Sequence, residues 1–143
     1  MLKLTAYADG CGLDRKLLEL VRLRVSQING CAYCIDMHST AARRLGVDDQ
    51  RMHLLSAWRE AGVFSDAESA ALEWAEALTR LPAGPETDAA YAQAARHFPT
   101  HRLAELTLVV ADINAWNRVM TAARTPPKCA EVTAADRSPG HVG

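Results

Sequence analysis

Apolar residues recur along most of the chain at the three- and four-residue spacing of an amphipathic α-helix. No segment alternates apolar and polar residues in the way that a half-buried strand does. The pattern predicts an all-α fold with about six helices and no sheet. The predicted helices span residues 13–29, 31–45, 49–61, 65–81, 88–97 and 100–124. Their unequal lengths argue against a simple up-and-down bundle.

Capping residues mark the boundaries of several predicted helices. Asp14 can cap the first helix, and Gly30 suits a left-handed exit at its end. Ser65 and Glu68 have the spacing of a capping box, and Pro82 is expected to end the helix that starts there. The apolar stripes predict a core that contains Leu54, Leu55, Trp58, Ala71, Trp74, Ala75, Leu78, Leu81, Leu103, Leu106, Val110, Ile113 and Asn117.

Length and composition fit one domain of ordinary globular character. A chain of 143 residues can bury about two-thirds of its unfolded surface. The formal net charge of −1 gives no electrostatic reason to expect nucleic-acid binding. No apolar run reaches the roughly 20 residues of a membrane span, and the N-terminus lacks a secretory pattern, so we expect a cytoplasmic protein. Residues 1–127 are predicted to form the domain, and residues 128–143 a flexible tail.

Candidate reactive residues are concentrated in GCAYCIDMH, residues 30–38. On a helix, Cys31, Cys34 and His38 fall within an arc of about 60 degrees, so their side chains share one face. Both cysteines lie in the first turn, where free backbone N–H groups and the helix dipole favour the thiolate. His38 follows Cys34 by one turn and can exchange its proton directly or through one water. In a reducing compartment, such a pair suggests redox chemistry or metal binding rather than a permanent disulfide.

Three other interpretations explain this cluster less well. A structural zinc site needs four ligands, and Cys11 and Cys129 lie in segments without a second ligand-pair spacing. Covalent haem attachment needs histidine directly after the second cysteine, where Ile35 stands. Two buried cysteines and a core histidine would explain each residue, but not all three on one face at a helix start. The residues therefore favour a redox-active thiol pair.

A carboxylate would complete a proton relay, and Glu19 in the preceding helix is the candidate. Its helical neighbours are Arg15, Lys16 and Arg22, a pattern typical of a solvated ion-pair surface. Spacing alone therefore favours a surface role for Glu19.

A family resemblance changes that interpretation. The pattern Glu19-x11-Cys31-x2-Cys34-x3-His38 resembles the signature of the AhpD-like group within the carboxymuconolactone decarboxylase family. The flanking sequence VRLRVSQINGCAYCIDMHSTAARRLG and the segments 58–79 and 113–127 also resemble that group. Tyr33 stands where AhpD proteins proper usually have histidine, and the single domain is shorter than theirs.

The resemblance implies an all-α fold, assembly into homotrimers or homohexamers, and peroxidase or disulfide-reductase activity in antioxidant defence. It implies no metal and no organic cofactor. Cys34 would be the peroxidatic thiol, Cys31 the resolving thiol, and His38 and Glu19 the proton relay. The implied partners are a small hydroperoxide and a thiol or dithiol electron donor, such as a lipoyl-carrying or thioredoxin-like protein.

Two other functions stay open at this point. A lactone decarboxylase of the family's founding type would need polar groups for a dicarboxylate and no redox-active cysteines. A non-enzymatic thiol sensor would use the same cysteine pair, but it would react with peroxide only once.

Mainly structural roles are predicted for the other notable residues of the sequence. Core positions are predicted for Trp58 and Trp74, and free thiols for Cys11 and Cys129. Surface or capping positions are predicted for His53, His97 and His101. A subunit contact and a solvated helix end compete equally for the cluster Asn114, Trp116, Asn117 and Arg118.

Overall fold

A computed structural model of the protein describes residues 1–81 and 84–129. Within these ranges the regular structure is eight α-helices and one 3₁₀ turn, with no strand, so the predicted all-α class is confirmed. The helices are α1 (Leu2–Gly10), α2 (Arg15–Asn29), α3 (Ala32–Arg44), α4 (Asp49–Leu54), α5 (Trp58–Ala61), α6 (Asp66–Arg80), α7 (Pro85–His97) and α8 (Thr100–Ala122), and the 3₁₀ turn is Leu55–Ala57. No helix in the described ranges is long and apolar enough to cross a membrane.

The structure departs from the predicted helices at two places. α1 is absent from the predicted set because Ala8 is its one fully buried residue, too little for an apolar stripe to mark it. The predicted third helix is interrupted by the 3₁₀ turn, which separates α4 from α5. The predicted caps are confirmed, since Asp14 accepts the Leu17 N–H at 2.9 Å and Ser65 forms a complete capping box.

Most predicted core residues are buried, with Leu81 the main error. Leu81 is 72% exposed, because it adopts a left-handed conformation just after the last turn of α6 and leaves the helix's apolar face. Leu54 and Leu78 are only half-buried. Pro82 and residues 130–143 lie outside the described residues, so the expected helix stop and the flexible tail stay predictions.

α2 is the central helix of the fold and packs against α3, α6 and α8. Leu17, Leu18, Val21 and Val25 join one apolar cluster with α6, α7 and α8. Leu20 and Leu23 join a second cluster with α3, α4 and the 3₁₀ turn. Because apolar residues occupy most of its circumference, α2 is buried on nearly every side, and its charged residues are drawn into the interior.

A polar network inside the fold joins α2 to the end of α8. Asn117 is 1% exposed, and its amide donates to the Ser26 hydroxyl at 3.0 Å. The Asn29 amide donates to both Asn117 and Asn114 at 2.9 Å. The alternative of a solvated helix end is therefore wrong for Asn117, whose polar groups are satisfied by partners from α2.

A second buried polar group, Glu76 of α6, was not singled out by the sequence pattern. It is 2% exposed and accepts hydrogen bonds from Arg24 and Arg59 at 2.7 Å, Arg80 at 2.9 Å and the Trp58 indole at 3.0 Å. Burial raises the pKa of the Glu76 carboxyl, but these donors outweigh burial and lower the pKa to about 2. Glu76 thus ties α2, α5 and α6 together as a hub that is charged at neutral pH.

Candidate active site

The tight connection between α2 and α3 positions the cysteine pair. Gly30 follows α2 in the left-handed conformation, with φ of 67°, where an L side chain would be strained. Cys31 is then the N-cap of α3, and its Sγ accepts the Cys34 N–H at 3.3 Å. The first turn of α3 therefore carries both sulfur atoms.

Cys31 and Cys34 are joined by a disulfide bond, with their Cα atoms 5.3 Å apart. The two residues are 3% and 1% exposed, respectively. The expected disulfide-forming pair is thus confirmed, whereas its cycling stays a prediction. The helix-terminal N–H contacts Cys31 rather than Cys34, so the helix N-terminus favours negative charge on Cys31. In the dithiol form, deprotonation of Cys34 would need assistance from another group.

His38 lines the same cavity as Cys34, and its ring is held by Glu19. The His38 ring contacts the Glu19 carboxylate through Nδ1, at 2.8 Å from Oε2. His38 is 7% exposed, and its Nε2 is buried without a hydrogen-bond partner among the described residues. A carboxylate at Nδ1 holds the proton there, which leaves Nε2 as the nitrogen that can accept another proton. The structure thus pairs Glu19 with His38 and places His38 beside Cys34 in the lining of one cavity.

Glu19 also forms the ion pair expected from spacing, but in the interior. The Arg22 guanidinium donates to Glu19 Oε1 at 2.9 Å and to Asp9 of α1 at 2.7 Å. Glu19 and Arg22 are 8% and 7% exposed, so the predicted solvated surface is wrong. Glu19 and Arg22 are buried because apolar residues of α2 flank them on both sides and pack against the neighbouring helices.

The electrostatic surroundings keep Glu19 ionised. Burial on its own would raise the pKa of the Glu19 carboxyl. The hydrogen bond and charge of His38, together with those of Arg22, outweigh burial and lower the pKa below its usual value. At neutral pH the carboxylate is therefore available to stabilise a protonated His38.

Two cavities meet at His38. The first, of about 340 Å³, is lined by Thr5, Asp9, Arg22, Tyr33, Cys34, Met37, His38, Asp112, Ile113, Trp116 and Met120. The second, of about 230 Å³, is lined by Asp9, Arg15, Leu18, Glu19, Arg22, Met37, His38 and Ala41. Cys34 faces only the first cavity and Glu19 only the second, whereas His38 faces both. Cys31 lines neither of them.

The other candidate residues lie apart from this cluster. In residues 1–81 and 84–129, no group of three or more metal-ligating side chains is arranged to hold a metal ion. Cys11 and Cys129 are free, as predicted, and the Cys129 N–H contacts Asp36 of α3 at 3.3 Å. The predicted surface histidines, His53, His97 and His101, are exposed. Trp58 and Trp74 are buried, as expected.

An all-α fold with a buried C-x-x-C pair, a histidine one turn later and a carboxylate from the preceding helix defines a helical dithiol protein. Comparison with family models matches residues 2–77 to the carboxymuconolactone decarboxylase family. The chain belongs to this family, and its neighbours place it in the AhpD-like group.

Three relatives illustrate the likeness. The uncharacterized protein YdfG of Bacillus subtilis (strain 168) is 38% identical over 122 residues, which cover 85% of this chain and 83% of YdfG. The alkyl hydroperoxide reductase AhpD of Streptomyces griseus is 36% identical over 66 residues, which cover 43% of this chain and 37% of that protein. The crystal structure of ATU0492 from Agrobacterium tumefaciens, proposed to be an antioxidant defence protein AhpD, has a TM-score of 0.84 and 34% identity, covering 88% of this chain and 86% of that one.

The sequence pattern did not indicate several residues of the site. It indicated Arg22 only as a surface partner of Glu19, and Asp9 and Thr5 belong to the unpredicted α1. Asp112 is 2% exposed within the apolar run of α8. An acidic residue in such a run is the signal that could have revealed it, because a buried charge needs a partner or a function.

Proposed function

We propose that this protein is a thiol-dependent hydroperoxide reductase of antioxidant defence, with Cys34 as the thiol that attacks the peroxide. The observation that carries the proposal is the first cavity, which Cys34 and His38 line together and which is large enough for a small organic hydroperoxide. The Nε2 atom of His38 has no hydrogen-bond partner among the described residues. Cys31 lies outside that lining and is suited to the resolving role.

The proposed reaction starts from the dithiol form. His38 Nε2 takes the proton of the Cys34 thiol, and the thiolate attacks the O–H oxygen of the hydroperoxide. An S–O bond forms and the O–O bond breaks, which oxidises Cys34 to a sulfenic acid and reduces the peroxide. The alkoxide that leaves takes the proton from His38, so an alcohol is released. Glu19 stabilises the transient imidazolium through Nδ1.

The second half of the cycle resolves the sulfenic acid. The Cys31 thiol attacks the sulfur of Cys34, water is released, and the disulfide described above is formed. An external thiol or dithiol then reduces the disulfide by exchange, and is itself oxidised to a disulfide. The reaction needs no metal and no organic cofactor.

The relatives support this chemistry by name only. The Streptomyces griseus protein is called an alkyl hydroperoxide reductase, but the match spans 37% of its length. We extend the proposal to a cytoplasmic homotrimer or homohexamer that receives electrons from a lipoyl-carrying or thioredoxin-like protein.

The proposal is tested by counting peroxide molecules consumed per protein molecule. Purified protein, cumene hydroperoxide and excess dithiothreitol should give many turnovers above the protein-free rate. Cys34→Ser should consume none, whereas Cys129→Ser, which removes an exposed free thiol, should match the parent. Consumption that stops at one peroxide per protein would identify a thiol sensor. Consumption of carboxymuconolactone without peroxide turnover would identify a lactone decarboxylase.

A further inference from the structure

A further buried acid, Asp112 of α8, lines the first cavity and has no part in the relay just described. It is 2% exposed and lines the cavity together with Cys34 and His38. Its Oδ1 accepts the Thr5 hydroxyl at 2.9 Å. Its other carboxylate oxygen, Oδ2, accepts no hydrogen bond from residues 1–81 and 84–129, and it is not one of the fully buried polar atoms left without a partner there, so it keeps accessible surface.

The direction of the hydrogen bonds around Asp112 is determined by its neighbours. The Trp116 indole N–H, which can only donate, donates to the Thr5 hydroxyl oxygen at 2.8 Å. The single Thr5 hydroxyl hydrogen is then available to Asp112 at 2.9 Å, a shorter contact than the 3.3 Å to the Met1 carbonyl. Trp116 and Thr5 thus hold one carboxylate oxygen in place and leave the other for a donor in the cavity.

A purely structural role does not account for the charge of Asp112. An asparagine carbonyl would accept the Thr5 hydrogen equally well without the cost of burying a carboxylate. The one arginine lining the cavity, Arg22, is engaged by Glu19 and Asp9, so it does not neutralise Asp112. The accessible oxygen of this carboxylate can accept a hydrogen bond from water or from a substrate in the cavity that Asp112 lines.

We propose that Asp112 accepts the hydrogen bond of the hydroperoxide O–H and thereby holds the oxygen that Cys34 attacks. This inference rests on the proposed peroxidase function. The hydroperoxyl hydrogen stays on its oxygen throughout the step and becomes the hydrogen of the sulfenic acid, so Asp112 transfers no proton. His38 donates the proton taken from Cys34 to the other oxygen, which leaves as the alcohol. The two oxygens of the substrate are thus recognised by one acceptor and one donor.

The test compares two reactions of the Cys34 thiol in the reduced full-length protein. Cumene hydroperoxide has an O–H for Asp112 to hold, whereas iodoacetamide, an alkylating agent, has no hydroperoxyl group. Asp112→Asn should slow Cys34 oxidation roughly 10- to 100-fold, the effect of losing one hydrogen bond to a charged group. Alkylation should be unchanged or faster, because removal of a nearby negative charge favours the thiolate. Peptide mass spectrometry follows both reactions at Cys34.

The controls separate this inference from the proposed function and from misfolding. Asp49→Asn makes the same chemical change on the exposed Arg43–Asp49 pair and should alter neither rate. Thr5→Val keeps the carboxylate but removes its positioning hydrogen bond, so it should lower the oxidation-to-alkylation ratio about 3- to 10-fold. Equal losses of both rates in Asp112→Asn, or an unchanged ratio in both variants, would overturn the role of Asp112. A parent protein that does not oxidise at all would refute the proposed function instead.

Discussion

Replacement of Glu19 by glutamine is the most direct test of the relay. Glutamine keeps the size of the side chain and can still accept from His38, but it cannot stabilise the positive charge that His38 acquires. Unit charges at the observed 2.8 Å attract by about 6 kcal/mol at an effective dielectric constant of about 20. Solvation and the remaining hydrogen bond offset part of that energy. Positioned proton transfer typically accelerates a reaction by at least about 10²-fold.

We therefore expect Glu19→Gln to reduce peroxide turnover about 10²-fold, or about 2.7 kcal/mol of activation free energy. The change also removes one of two carboxylates from the buried Arg22, and Asp9 remains, so we expect about 1–3 kcal/mol of lost stability. Steady-state turnover with saturating dithiothreitol gives the first quantity, and urea unfolding gives the second.

A matched control exists in α8. Glu105 pairs with Arg102 three residues earlier at 2.8 Å, but it lies outside both cavities that meet at His38. Glu105→Gln should leave turnover unchanged and cost less than about 1 kcal/mol of stability. Turnover of Glu19→Gln within twofold of the parent would remove Glu19 from the mechanism, whatever its effect on stability.

Three further predictions concern the cysteines, the charged hub and assembly. Cys34→Ser should abolish peroxide consumption, and Cys31→Ser should react once and leave a sulfenic acid on Cys34 that dimedone traps; trapping on Cys31 would reverse the two roles. Because the pKa of Glu76 is lowered in the folded state, its ionised carboxylate stabilises the fold above pH 4.5. This contribution of about 3 kcal/mol should be lost as pH falls toward about 2. Acid unfolding should therefore be less steep in Glu76→Gln, which is already destabilised at pH 7, and equal slopes would contradict the assignment. Light scattering at micromolar concentration should give a trimer or hexamer, and a monomer would refute the expected assembly.

The sequence was sufficient to predict the helices that bury a continuous apolar stripe. α2, α6 and α8 have such stripes, and their caps could be located to within about two residues. α1 could not be found in this way, since Ala8 is its one buried apolar residue and its other attachments are polar, to α8 through Thr5 and to α2 through Asp9. Polar contacts between distant residues leave no periodic mark in a sequence.

The residues of the candidate site also divide into those that the sequence pattern could group and those that only the folded structure brings together. Cys31, Cys34 and His38 could be grouped because they lie within two turns of one helix. The spacing of Glu19 indicated a surface ion pair, and only the packing of α2 shows that the pair is buried and reaches His38. Asp112 lies 78 residues beyond Cys34, so its place in the same cavity depends on how α8 packs against α3.

The first cavity has walls from two separate stretches of the chain. The residues proposed to react come from α2, α3 and the N-cap of α3, inside the residues matched by the family model, 2–77. The opposite wall, with Asp112, Ile113, Trp116 and Met120, comes from α8, which lies beyond that match. Under the proposed function, substitutions in this one helix at positions other than Asp112 can change the shape of the substrate space and leave the cysteine pair unaltered. Relatives with the same cysteine motif but different residues on that wall should then differ in which peroxide they accept, and grafting α8 wall residues between them should transfer the preference.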